Sequence, residues 1–171
     1  MTEPGSLTSP SSRPLSSPSS RPSSWPFCWP ARVYWEDTDG GGVVYYANYL
    51  KFLERARTEW LRSLGFIQTE LAKDPGILFV VASVHIDYRR PARLDDALII
   101  TCNYAPDGAA CMRFDQRVLR NDEVLVEASV RVACLDAANF RPKRIPAAIV
   151  SAMTAAAAAA APFPQAAKEP V

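Results

Sequence analysis

The hydrophobic pattern changes period twice along the chain. From about Tyr46 to Leu64, the residues Leu50, Leu53, Arg57, Trp60, Leu61 and Leu64 fall at spacings of three and four, which predicts a long helix with one face turned to a core. Gly65 suits the residue that ends it. Glu54 and Thr58 share a helix face, and Arg55 is spaced to pair with Glu59 one turn on. A second helical piece is expected over 67–73, closed by Asp74-Pro75-Gly76. Then the period becomes two. Leu78, Val80, Ala82, Val84, Ile86 and Tyr88 alternate with Phe79, Val81, Ser83, His85 and Asp87. Leu98, Ile100, Cys102 and Tyr104 repeat the alternation, as do Met112, Phe114 and Val118. In the last run, Val124, Val126, Ala128, Val130, Val132 and Cys134 oppose Glu127, Ser129 and Arg131.

With a short β-branched and aromatic strand over 31–35, the order is strand, long helix, then four strands expected in a meander. Turns at Pro106-Asp107-Gly108 and Asn121-Asp122-Glu123 join the last three as hairpins. A sheet with one apolar face needs a cover, and the long helix is the element available. The expected class is therefore α+β, a curved antiparallel sheet wrapped round one central helix. Long strands leave an edge unpaired, which favours edge-to-edge pairing of two copies.

Composition divides the chain of 171 residues into a core and two ends. Residues 1–24 hold ten Ser and five Pro, with a repeated Ser-Ser-Arg-Pro, too little apolar surface to offset the entropy of ordering. The reading is a disordered tail over 1–28, one domain over 29–150, and an alanine-rich flexible tail over 151–171. The whole chain has 19 Lys and Arg against 18 Asp and Glu, and the core is balanced. A nucleic-acid binder would carry a basic excess. No apolar run approaches the ~20 residues of a membrane span, and no signal-peptide core is present, so a cytoplasmic protein is expected. Four cysteines form no C-x-x-C pair and the chain has one histidine, so no zinc site is expected. His85 shares a polar strand face with Ser83 and Asp87. Side chains two apart on a strand point in parallel, so they form no triad. Gly40-Gly41-Gly42 fits neither common phosphate-loop pattern.

The remaining chemistry concentrates in Arg32-Val33-Tyr34-Trp35-Glu36-Asp37-Thr38-Asp39-Gly40-Gly41-Gly42-Val43-Val44-Tyr45-Tyr46-Ala47-Asn48-Tyr49-Leu50 and the following Phe52-Leu53-Glu54-Arg55-Ala56-Arg57-Thr58. Asp39 sits in a glycine turn that feeds the helix, whose first turn has unpaired N–H groups and partial positive charge. Those N–H groups suit an oxyanion, and Asp39 suits attack on a carbonyl or activation of water. The alternative is that Asp37, Thr38 and Asp39 only form the turn and cap the helix.

This block resembles the signature of the 4-hydroxybenzoyl-CoA thioesterase family, most closely its YbgC-like, Tol-Pal-associated acyl-CoA thioesterases. The likeness continues through Phe79-Val80-Val81, Tyr88, Pro91-Ala92-Arg93-Leu94-Asp95-Asp96 and Arg141-Pro142-Lys143, covering about 29–150. The resemblance implies a hotdog fold, dimers often paired into tetramers, and hydrolysis of acyl-CoA without metal or prosthetic group. By position it makes Asp39 the nucleophile or general base and puts the oxyanion donor at the backbone N–H near Tyr46. It places Tyr34 and Val44 at the acyl group. Glu54, with Arg57 and Thr58, is expected to brace the site or the dimer, or to meet substrate. YbgC-like members usually have His where this chain has Tyr46. The basic hairpin that meets CoA phosphates in the 4-hydroxybenzoyl branch is missing near 107–110, leaving Arg89, Arg90 and Arg93, or Arg141, Lys143 and Arg144, as substitutes. The competing reading is a non-catalytic acyl-CoA or acyl-carrier binding module linked to envelope functions.

Overall fold

The structure, a computed structural model, describes residues 27–160. The Ser/Pro-rich segment 1–24 and the chain from 161 onward lie outside the described residues. Strand β1 (Phe27–Arg32) leads into a single 3-10 turn (Trp35–Asp37), then helices α1 (Asn48–Ser63) and α2 (Gln68–Lys73). Four strands follow, β2 (Ile77–Tyr88), β3 (Ala97–Pro106), β4 (Cys111–Arg120) and β5 (Glu123–Asp136), and helix α3 (Ala147–Ala158) ends the described chain. All strand pairs are antiparallel, in the order β1-β3-β4-β5-β2.

Helix α1 turns Tyr49, Phe52, Leu53, Ala56 and Trp60 onto the sheet. The inward seam is rotated from the one the sequence suggests, since Leu50 stays 40% exposed. Trp60 packs edge-on against Phe114 and tilted against Tyr104, with ring centres 5.7 and 6.0 Å away. The helix stops where expected. Gly65, at φ +90°, donates to the Arg62 carbonyl and Phe66 to the Leu61 carbonyl, the paired bonds of a glycine-terminated helix. Glu59 pairs with Arg62 rather than with Arg55. On β5 the alternation holds from Val126, with Ala128, Val130, Val132 and Cys134 buried, but Val124 is half-buried and Leu125 is buried instead, beside an irregularity in the β4–β5 register. This wrapping of a curved antiparallel sheet round one central helix is the hotdog fold.

Three expectations need correction. The first strand lies four residues earlier than expected, because Val33 turns to bond Asp95 and Asp96 and the chain then enters the 3-10 turn. The four-strand meander is broken, since β2 pairs with β5 at the far edge and β1 takes the place beside β3. The β2–β3 connection makes this crossing, with Arg89 and Arg90 both donating to the Leu125 carbonyl. Finally, the packed domain does not end at residue 150. Residues 151–158 belong to α3, whose Ile149 and Met153 are each 1% exposed. Alanine has the highest helix propensity, and two apolar residues four apart give that helix a face to bury.

Strand β2 is an edge. Val80, Val81 and Val84 remain 38–45% exposed, and one side of its backbone is unpaired within the chain. His85 on it is exposed and meets Asp87 at 3.6 Å. Among the described residues, no helix is long and apolar enough to cross a membrane and no group of side chains could hold a metal ion.

Candidate active site

The two aspartates of Asp37-Thr38-Asp39 separate completely in the fold. Asp37 is 4% exposed, and its Oδ2 accepts the Tyr34 N–H at 2.9 Å, closing the 3-10 turn. Its carbonyl accepts the Tyr45 N–H at 2.9 Å and the Asn48 side-chain amide at 3.0 Å. Asp37 thus ties the turn to the start of α1. Asp39 is exposed, and among the described residues its Oδ1 accepts only the Gly41 N–H, at 2.8 Å. Its backbone is fixed by bonds with Val43 and Gly42, both 3.0 Å. The loop therefore orients one carboxylate oxygen and leaves the other to solvent.

Two of the three glycines are needed for this shape. Gly42 sits at φ +72°, where a side chain is strained. A Cβ on Gly41 would lie 3.0 Å from Asp39 Oδ1. Gly41→Ala is expected to turn the Asp39 carboxylate and to lower turnover of an acyl-CoA by at least about tenfold, with the melting temperature little changed; steady-state kinetics beside a thermal melt checks it.

Behind the loop, α1 begins without a cap. Ala47 occupies the N-cap and no side chain bonds the first turn. The Tyr45 carbonyl accepts the Asn48 N–H at 2.8 Å, which fixes the 45–46 peptide plane. The Tyr46 N–H on that plane has no acceptor among the described residues. Across the chain, the Tyr88 hydroxyl donates to the Tyr46 carbonyl at 3.0 Å. The Tyr45 and Tyr46 rings stand 4.7 Å apart, and Tyr46 meets Tyr88 edge-on at 6.3 Å. The Tyr45 phenol is pushed up, first by hydrogen bonding with the Tyr46 side chain, then by that ring's charge, burial and the Asp39 carboxylate. Burial is the main reason the Tyr88 and Tyr49 phenols are also raised.

A cavity of about 250 Å³ opens beside these groups, lined by Val44, Tyr46, Tyr49, Tyr88, Arg89 and Arg90. Its floor is rigid. Val44 donates to the Ala92 carbonyl at 2.9 Å, and Ala92 donates to the buried Tyr49 hydroxyl at 2.8 Å. Val43 bridges to Arg93, so the connection between β2 and β3 is laced onto the Asp39 loop.

Of the residues expected at the site, Val44, Tyr46, Arg89 and Arg90 line this cavity; Asp39 and Arg93 are outside its lining, on the loop and the connection that Val43 bridges, and the three arginines are in different states. Arg89 is held by Glu127, and Arg90 stands 3.7 Å from Glu123. The exposed Arg93 guanidinium has no partner among the described residues. Lys143 is taken up by Asp136 and by the carbonyls of Pro75 and Gly76. Tyr34 is 61% exposed and lines neither this cavity nor the one beneath α1. Glu54 lies elsewhere too, on the second cavity, accepting the Thr58 hydroxyl at 2.6 Å. Sequence reasoning missed Tyr45, Tyr49 and Tyr88 as site residues. The spacing of Tyr45, Tyr46 and Tyr49 was a local signal for the first two; nothing local ties Tyr88 to residues 42 positions earlier.

Comparison with known proteins bears on this arrangement. A thioesterase-like superfamily model matches residues 33–169. The acyl-CoA thioesterase YbgC of Haemophilus influenzae is 47% identical over 117 residues, covering 68% of this chain and 86% of that protein. The chain belongs to the YbgC-like thioesterase family. The acyl-CoA thioester hydrolase YbgC of Escherichia coli O6:H1 is 44% identical over 123 residues, with 71% and 91% coverage. Among solved structures, a probable thioesterase from Bartonella henselae superposes with a TM-score of 0.67 at 39% identity, covering 70% of this chain and 98% of that one. In this thioesterase the family's fold is kept, and the described helix α3 lies within the span the family model matches.

Proposed function

We propose that this thioesterase hydrolyses acyl-CoA thioesters to the free acid and CoA, with Asp39 as nucleophile or general base and the Tyr46 backbone N–H as oxyanion donor. The observation that carries the reading is the pairing of an exposed, loop-fixed carboxylate with a peptide N–H that is oriented and left without an acceptor. As the thioester carbonyl becomes tetrahedral, negative charge builds on its oxygen. A fixed donor costs no reorganisation to meet it. The partial positive charge at the start of α1 adds to the same effect. The relatives' names, which describe acyl-CoA thioesterases, support the substrate class.

Substrate would enter by the cavity between the tyrosines and the arginine-bearing connection. The aromatic wall suits the acyl group or the pantetheine arm. Arg93, unpaired, and Arg90, weakly paired, are the cations best able to meet a CoA phosphate, while Arg89 is committed to Glu127. We also read the exposed apolar edge of β2 as the surface on which a second copy adds, giving a dimer. That would place a second chain beside the Glu54 face. Links to an acyl carrier protein or to envelope systems belong to the competing reading, a binding module that retains the fold.

A panel of short-chain, long-chain and aryl acyl-CoAs separates the two. The enzyme reading expects saturable release of CoA thiol from at least one class. Binding of acyl-CoA by equilibrium titration, with no hydrolysis of any class, supports the module instead.

A further inference from the structure

Asp39 lies at the tip of a short hairpin, and Tyr46 lies where that hairpin runs into α1. Its rungs are the Tyr45 N–H on the Asp37 carbonyl at 2.9 Å and the Asp39 N–H on the Val43 carbonyl at 3.0 Å, with Thr38 bridging Val44 between them. The Gly42 N–H on the Asp39 carbonyl, at 3.0 Å, closes the tip. A hairpin this short does little to fix its own tilt, since an isolated pair of strands is only marginally stable in water. The angle between the carboxylate and the helix start has to be set from outside it.

Asn48 sets that angle from both arms. It is the first residue of α1 and is 8% exposed. Its backbone N–H donates to the Tyr45 carbonyl at 2.8 Å, and that carbonyl shares one rigid peptide plane with the Tyr46 N–H. Its side-chain Nδ2 donates to the Asp37 carbonyl at 3.0 Å and reaches the Glu36 carbonyl at 3.4 Å, on the arm that leads out to Asp39. The amide is poorly suited to the helix alone. A helix start favours carboxylates, which meet its positive end, yet α1 has no acidic residue in its first turn and none of the described side chains caps it. A carboxylate at position 48 would face two carbonyl oxygens, so a donor is what the hairpin requires. Departures from local preference of this kind concentrate at functional sites.

We propose that Asn48 is a positioning residue for the hydrolysis. Its backbone holds the oxyanion donor, its side chain holds the hairpin that bears Asp39, and the two bonds together set the placement of one group against the other. Asn48 meets no reacting atom in this role. Without Nδ2, the Asp37 carbonyl still keeps the Tyr45 N–H, so the hairpin survives and its tilt is freed. A misplacement of about 1 Å can cost about 10² in rate. The role rests on the reading of Asp39 and the Tyr46 N–H as the reacting groups.

The test measures kcat, KM and melting temperature of the full chain and its variants across the acyl-CoA panel. Asn48→Ala is expected to lower kcat about 10–100-fold, with KM within about threefold of the wild type. Asn48→Asp keeps the shape of the side chain, removes the donor and suits the helix start, and is expected to lose at least about tenfold in kcat. Leu71→Ala, a truncation of a buried residue on α2, is the stability control; it is expected to melt lower than Asn48→Ala and to keep kcat within about threefold. Either Asn48 variant with kcat within about threefold of the wild type, a loss that falls on KM alone, or an equal kcat loss in Leu71→Ala would each overturn the role. No hydrolysis by the wild type, or turnover kept by Asp39→Asn, removes the underlying reading and the role with it. An inactive Asp39→Asn beside a fully active Asn48→Ala removes the role alone.

Discussion

Tyr46→Pro is expected to lower kcat for acyl-CoA hydrolysis by about 10²–10³, while Tyr46→Phe costs less than about fivefold. Proline removes one backbone N–H and keeps the carbonyl that the Tyr88 hydroxyl bonds. The position precedes the first residue of α1, so no bond within the helix is lost. If the N–H is what meets the developing oxyanion, the loss falls on kcat, because the ground-state carbonyl carries little of that charge. The phenylalanine variant keeps the N–H and removes the side-chain hydroxyl. A large loss for phenylalanine and a small one for proline would move the role from backbone to side chain. Stopped-assay kinetics on both variants, with melting temperatures as the folding control, decides between them.

How much of this was legible in the sequence depends on how local each feature is. The long helix, its glycine stop and the alternating faces of β3, β4 and β5 follow from period and turn residues alone. Strand order does not, because the place of β2 is decided by β1 occupying the edge beside β3, a pairing between segments about 70 residues apart. Helix α3 was missed because an alanine run was read as featureless, although Ile149 and Met153 mark a buried face. That Asp39, Val44 and Tyr46 lie on one segment was legible because the sequence places all three between the first strand and α1. The resemblance singles out Asp39 over Asp37, and the two differ in burial, Asp37 being 4% exposed and Asp39 exposed. Tyr34, adjacent in sequence, is 61% exposed and not in the lining of the cavity beside Tyr46, and the Asp37 carboxylate holds its backbone. Glu54 lies two turns along α1, on a different cavity of the same chain. Tyr88 reaches the loop by its hydroxyl on the Tyr46 carbonyl and Arg93 by the bridge to Val43, contacts between segments distant in sequence.

The largest effect belongs to Asp39. Its carboxylate has one fixed oxygen and one open to solvent, which is what either attack on a thioester or activation of a water requires. Asparagine keeps the oxygen that accepts the Gly41 N–H, so the loop should hold, and it removes both the charge and the basicity. General-base roles are worth about 10²–10⁴ in rate, and a nucleophile at least as much. Asp39→Asn should therefore lose at least about 10³ in kcat, with acyl-CoA binding within a few-fold of the wild type. The structural alternative, that Asp39 only shapes the turn, predicts the reverse: turnover kept, stability lowered. The measurement that bears most directly on the account is thiol release from one acyl-CoA by purified wild type and Asp39→Asn side by side, with binding and melting temperature recorded for both. Hydrolysis by the wild type and none above background by a folded, acyl-CoA-binding Asp39→Asn is the predicted result; comparable turnover by both proteins would contradict it.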